Sequence, residues 1–137
     1  MKSYQFYIMS LLLGLFFLGP SCEKKDVDVN LTADDWKVEK IRKSGILIYT
    51  STDSSYILHF SDAKTFNLNL DVNNCIGLYE IPDKGSISFQ AMACTEICCD
   101  TEFAEDLASL FPKMTSYYVR ENKLYLEGDG EIILQPL

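Results

Sequence analysis

The 137-residue chain has one histidine, His59, and one tryptophan, Trp36. A single imidazole narrows the chemistry open to it. Any Ser-His-Asp or Cys-His relay would have to be built around that one side chain. His59 lies in Tyr56-Ile57-Leu58-His59-Phe60, out of phase with the Tyr, Leu and Phe of the other face, so it is expected to be a solvent-facing strand residue. Positive charge is also scarce: 12 Lys and Arg stand against 20 Asp and Glu, a net charge of −8. Nucleic acid requires a basic surface, and so does electrostatic adhesion to anionic lipid. The chain has no Gly-rich phosphate loop, no carboxylate-rich calcium loop and no C-x-x-C redox motif. Asp129, between Gly128 and Gly130, reads as a hairpin turn. The acid pairs Asp34-Asp35 and Glu105-Asp106 read as solvated surface and helix-start charge. The residues therefore point to no catalytic set, no metal and no cofactor, and the protein is expected not to be an enzyme.

What the sequence does contain begins at the N-terminus. Lys2 precedes Tyr4–Leu18, a charge-free run of 15 residues that includes Leu11-Leu12-Leu13 and Leu15-Phe16-Phe17-Leu18. A spanning helix wants about 20 apolar residues. The core of a cleaved leader wants about 7–15, followed by small residues. Leu18-Gly19-Pro20-Ser21-Cys22 then resembles the lipobox of bacterial lipoproteins. Residues 1–21 are accordingly expected to be a signal peptide and Cys22 the lipid-attachment site. Several acyl chains on one residue hold a membrane stably where one does not. Residues 22–34 read as a polar tether. The absence of an acidic retention signal after Cys22 favours the outer membrane, with the domain facing either the periplasm or the exterior.

With Cys22 assigned to lipid, four of the five cysteines remain: Cys75, Cys94, Cys98 and Cys99. An even number in an exported domain favours disulfides. Three connectivities are possible. Pairing Cys75 with Cys94 leaves a vicinal Cys98–Cys99 bridge, which is strained. The less strained sets join Cys75 to one of Cys98 and Cys99, and Cys94 to the other. A metal site is the weaker reading, because Cys94-x3-Cys98-Cys99 lacks two short Cys pairs. Thiol redox chemistry at Cys98/Cys99 is the other alternative.

The mature segment, 35–137, reads as one domain. Period-2 alternation marks strands at Trp36–Glu39, Tyr56–Phe60, Phe66–Val72, Cys75–Ile81 and Ser86–Ala93. In Ser86–Ala93 the residues Ile87, Phe89 and Ala91 share a face, and Gly77 suggests a bulge or close packing. The period then changes. Phe103, Leu107, Leu110 and Phe111 form one helical stripe, with Asp100, Thr101 and Glu102 at its start and Pro112 at its end. Three more strands follow at Tyr117–Arg120, Leu124–Glu127 and Glu131–Gln135. About eight short strands and one helix make a mainly β, α+β domain: an antiparallel cracked β-barrel with the helix covering a gap or an end. Tyr49, Tyr56, Tyr79, Tyr117, Tyr118 and Tyr125 fall on or beside strands. Barrel core explains them more economically than a ligand cavity or partner surface.

The blocks Asn73-Asn74-Cys75-x-Gly77-x-Tyr79, Ile87-x-Phe89, Met92-Ala93-Cys94, Glu102-Phe103 with Leu107, and Leu124-Tyr125-Leu126 together resemble the META/HslJ-type domain. Trp36-Lys37-Val38 is similar to that family's first strand. The resemblance covers roughly residues 34–137 and implies a small β-dominated domain with one helix, often carried on envelope lipoproteins. It ties the domain loosely to stress response and drug tolerance, without an agreed activity. The fold is also similar to that of secretin-pilot lipoproteins, which bind lipid tails. The expected function is a membrane-anchored envelope lipoprotein with a non-enzymatic binding or scaffolding domain, its expected partners being the membrane through the lipidated N-terminus and a protein or small apolar ligand. A small-ligand or lipid-binding module is the alternative, along with the thiol-redox reading.

Overall fold

The computed structural model describes residues 25–137. The leader and Cys22 lie outside them. Among the described residues no helix is long and apolar enough to cross a membrane.

Nine strands run in the order β1 (Trp36–Lys43), β2 (Thr50–Ser51), β3 (Ile57–Phe60), β4 (Thr65–Asn69), β5 (Asn74–Glu80), β6 (Ser88–Cys94), β7 (Met114–Arg120), β8 (Lys123–Gly128) and β9 (Gly130–Pro136). One helix, α1 (Glu102–Leu110), and a 3-10 turn, Phe111–Lys113, lie between β6 and β7. The strands form one antiparallel sheet in the order β6-β5-β4-β3-β1-β9-β8-β7, with β2 beside β1. Neighbours in sequence are mostly neighbours in the sheet. The exception is β1, which pairs with the last strand from Trp36↔Pro136 to Lys43↔Gly130.

Alternation sets the faces. Along β4, Phe66 and Leu68 point inward while Thr65 and Asn69 are exposed. Side chains fill the interior: Leu58, Phe60, Leu68, Tyr56, Tyr79, Phe111 and Leu126 are all fully buried. Phe66, Phe89 and Phe111 form an aromatic knot with centroids 4.2–5.3 Å apart. The helix adds Ala104, Leu107 and Leu110 to this core. Tyr56, Tyr79 and Tyr117 belong to it as well. Tyr118 and Tyr125 do not. They stack on the outer face at 4.8 Å with Ile133, and Val27 and Tyr49 pack against them.

Two local expectations change. The strand over 88–94 does not keep one face throughout. Its pairing passes from Leu78↔Gln90 to Ile76↔Ala93, so Ala91 and Met92 together oppose Gly77 in a bulge. Ala91 adopts φ 50°; it turns outward, and Met92 packs on the core instead. Gly77 is required there, because a Cβ would sit 2.7 Å from the Phe66 ring and 2.9 Å from the Gln90 carbonyl.

The second change concerns residues 25–34, which are not a free tether. β6 and β7 end the sheet on opposite sides, and this is where the barrel is cracked. The lower part of the crack is bridged by Tyr117 N–H to the Gly85 carbonyl (2.8 Å) and Ile87 N–H to the Thr115 carbonyl (3.0 Å). The upper part is taken by the N-terminal strap. Asp26 and Val119 exchange two backbone hydrogen bonds of 2.8 and 2.6 Å, and Leu31 is buried under the Trp36 ring nitrogen, which donates to its carbonyl at 3.0 Å. An open edge leaves backbone groups unpaired; the strap pairs them.

Candidate functional site

Three places carry the polar and apolar features that the barrel does not need for its core. The first is the loop from Thr95 to Asp100, between β6 and α1. Cys75 and Cys94 face each other in the β5–β6 register and are disulfide-bonded, and Cys98 is bonded to Cys99. This is the connectivity with the vicinal bridge, so the expected crosswise sets are overturned. The reason is the register: β5 and β6 place Cys75 directly against Cys94 before the loop begins. Cys75 is buried, whereas Cys98 and Cys99 are exposed.

The loop is held by carboxylates and by one amide. Asn73 Oδ1 accepts from Ile97 N–H and from the Thr95 hydroxyl, while its Nδ2 donates to the Ile97 carbonyl and to Asp100 Oδ2. Asp100 Oδ1 accepts from the backbone of Val72 and Asn73. Asp71 accepts from Thr101 N–H and hydroxyl and from the Tyr56 hydroxyl. Thr101 is the N-cap of α1. The hydrogen bonds from Thr101, hydroxyl first and then backbone, hold the Asp71 carboxyl below its ordinary range. Burial works against ionisation of Asp100, but the donors from Asn73 and Val72 outweigh it and its carboxyl is also lowered. In the sequence Asn73 stands out only as the start of the Asn73-Asn74-Cys75 block that carries the family resemblance. The signal for its role was the cluster of short polar residues, Asp71, Asn73, Asp100 and Thr101, flanking two cysteines.

The second place is a hollow of about 460 Å3 on the outer face of β3–β6, lined by His59, Phe66, Asn67, Ile76, Leu78 and Ala93 among others. Ile76 and Leu78 are 56% and 46% exposed, which is unusual for aliphatics on a strand. His59 is on the solvent side, as its phase implies, and its Nδ1 meets Asp35 Oδ1 at 2.5 Å. The hydroxyls further along the same face, Ser61 and Thr65, pair with each other at 2.6 Å. The hollow therefore offers an apolar floor with one imidazole, hydrogen-bonded to Asp35, at its polar end.

The third place is the end of the sheet at β9. Glu131, 7% exposed, is gripped by Arg42 Nη2 and the Tyr49 hydroxyl, each at 2.6 Å. Burial, with Glu131 beside it, pushes the Tyr49 phenol up. This clip ends the loop that carries the exposed Ile46, Leu47 and Ile48. Asp106, read as surface charge, meets Lys43 at 2.6 Å. Among the described residues no group of three or more His, Cys, Asp or Glu is placed to hold a metal ion.

Comparison with known proteins agrees with this architecture. The chain is similar to a protein from Burkholderia xenovorans solved by NMR, at 14% identity and TM-score 0.63, over 78% of this chain and 83% of that one. It is also similar to a DUF4847 family protein from Bacteroides vulgatus in a crystal structure, at 11% identity and TM-score 0.56, over 77% and 93%. At such identities the likeness concerns the fold. No curated protein matches the chain. The META domain model matches residues 29–135, which takes in Leu31 of the strap but not Asp26. With most of its length inside that match, the chain belongs to the META domain family.

Proposed function

We propose that the chain is an envelope lipoprotein, anchored through acyl chains on Cys22 after removal of Met1–Ser21, whose META domain acts by binding rather than by turnover. The observation that carries the binding reading is the outer hollow, where Ile76 and Leu78 stand exposed two residues apart on β5. Large aliphatics grouped around a concavity mark a binding surface more often than chance exposure does. The interior is filled with side chains, so an apolar ligand is held on the outside of the barrel, unlike a lipid enclosed within one. The occupant that fits is an alkyl or aromatic group of a small molecule. The link to envelope stress rests on the family resemblance. The leader and the lipobox-like Leu18–Cys22 support the anchor.

Irradiation of the native protein with a short alkyl diazirine tests the binding reading. Label should concentrate on peptides carrying Ile76, Leu78 and Ala93, and Leu78→Asp should remove most of it. Label scattered evenly over the surface would refute the assignment. The intact mass of the native protein tests the anchor: loss of 21 residues with addition of acyl mass at Cys22 is expected, and an unprocessed chain would refute it.

A further inference from the structure

We infer that Cys98 and Cys99 form a thiol–disulfide exchange site that accepts two electrons from a dithiol donor, while Cys75–Cys94 is the structural bridge. Three observations converge on this, and none depends on membrane anchoring.

The two bridges differ in access. Exchange proceeds by attack of a thiolate on a disulfide sulfur; Cys75 is wholly buried in β5, so a donor can approach that bridge only from the exposed Cys94 side. Cys98 and Cys99 are both exposed at the crest of the loop. Exposed bridges are the labile and regulatory ones.

The two bridges also differ in what they hold together. Cys75–Cys94 joins strands already paired through backbone hydrogen bonds. Cys98–Cys99 closes a ring between adjacent residues and spans no loop, so it removes almost no chain entropy from the unfolded state. Its contribution to stability is correspondingly small, and stability gives no account of it.

The backbone on either side of the pair is fixed independently of the bridge. Asn73 holds both the N–H and the carbonyl of Ile97 at 2.7 Å. Asp100 is tied to Val72 and Asn73, and Thr101 to Asp71. Opening the bridge leaves these bonds in place, so the two thiols stay side by side and can close again.

The chemistry balances without any other participant. A donor thiolate attacks one of the two sulfurs, forming a mixed disulfide and releasing the other cysteine as thiolate. The donor's second thiol then attacks its own sulfur in the mixed disulfide. This releases the second cysteine and closes the donor's disulfide. Two electrons and two protons pass to Cys98 and Cys99. Glu96, Asp100 and Glu102 lie within three residues of the pair along the chain, and this local negative charge disfavours anionic monothiols such as glutathione and favours a neutral or cationic dithiol.

The test is graded reduction of the native full-length protein with dithiothreitol, with trapping by a maleimide and peptide mass mapping. Cys98 and Cys99 should label together at a dithiol concentration at least tenfold below that needed for Cys75 and Cys94, and should close again when the reductant is replaced by a neutral disulfide such as hydroxyethyl disulfide, which takes up the two electrons. Glutathione at equal thiol concentration should act more slowly, and the gap should narrow in high salt. Equal susceptibility of the two bridges, labelling before any reductant is added, or a native Cys94–Cys98 linkage would each overturn the assignment. A Cys98→Ser/Cys99→Ser protein should keep its melting temperature within a few degrees; a large fall would show that the pair is structural.

Discussion

Asn73 grips Ile97 from both sides: its Oδ1 accepts from the Ile97 N–H and its Nδ2 donates to the Ile97 carbonyl, each at 2.7 Å. A side-chain amide is here mimicking one rung of a strand pair, and it extends the β5–β6 ladder into a loop with no strand geometry of its own. Replacing Asn73 with Ala leaves both Ile97 backbone groups and the Asp100 carboxylate short of partners. The expected loss is about 1–3 kcal/mol, readable as a lower urea midpoint. Cys98 and Cys99 should also become markedly faster to alkylate after reduction. An unchanged midpoint would show that water replaces the amide at no cost.

Acid should loosen the start of α1 before it unfolds the barrel. Asp71 has a folded-state carboxyl lowered by Thr101. A depressed carboxyl contributes stability that is present above its unfolded pKa of about 3.9 and is lost as pH falls through the lower folded value. Stability should therefore be level from about pH 7 to 5 and fall below about pH 4. Asp71→Asn should flatten that acid limb and lower the neutral-pH plateau. A variant as acid-sensitive as the parent protein would place the titration elsewhere.

The strap is structural, and Leu31 is its anchor. It is buried at 2% exposure beneath Trp36. Leu31→Ala should cost about 2–5 kcal/mol, as much as a substitution in the barrel interior. Amide exchange should rise at Val119, whose N–H is bonded to the Asp26 carbonyl. If residues 25–34 were a solvated tether, neither change would be seen.

Gly128 permits the tight approach of the β8–β9 turn to the 3-10 segment. A Cβ there would lie 2.1 Å from the Lys113 carbonyl oxygen and 2.8 Å from the Met114 Cα. Both are backbone atoms and cannot step aside. Gly128→Ala should therefore destabilise by about 1–3 kcal/mol through forced backbone displacement, whereas Gly45→Ala, which meets nothing within 4 Å but has φ 75°, should cost only about 1 kcal/mol of backbone strain. Equal losses at the two glycines would contradict this reading of the turn.

The strands were legible because each alternates independently: Phe66-Asn67-Leu68-Asn69 announces its buried face without reference to any partner. The helix was legible for the same reason, since Phe103, Leu107 and Leu110 repeat at helical spacing. What could not be read was pairing. The Cys75–Cys94 bridge follows from the register of β5 on β6, a property of two segments together. The strap escaped notice because its local composition is polar. Asp26 contributes only backbone groups to its bridge with Val119, and backbone groups leave no trace in side-chain patterning. The outer hollow was equally hidden, because it depends on where the bulge at Ala91 throws the end of β6.

The union of β1 with β9 orders events during synthesis. β9 lies between β1 and β8 in the sheet, so the sheet runs continuously from β1 to the β7–β8 hairpin only once β9 has been made. About a hundred residues separate partners such as Trp36 and Pro136, a sequence separation of the kind that slows folding. Until then the inward face of β1, with Trp36, Val38 and Ile41, stays exposed on a nascent chain. The protein thus reaches its native state only after its last strand is free to pair, and a nonsense change at Glu131, which removes nearly all of β9, should leave β1 and β8 without their shared partner.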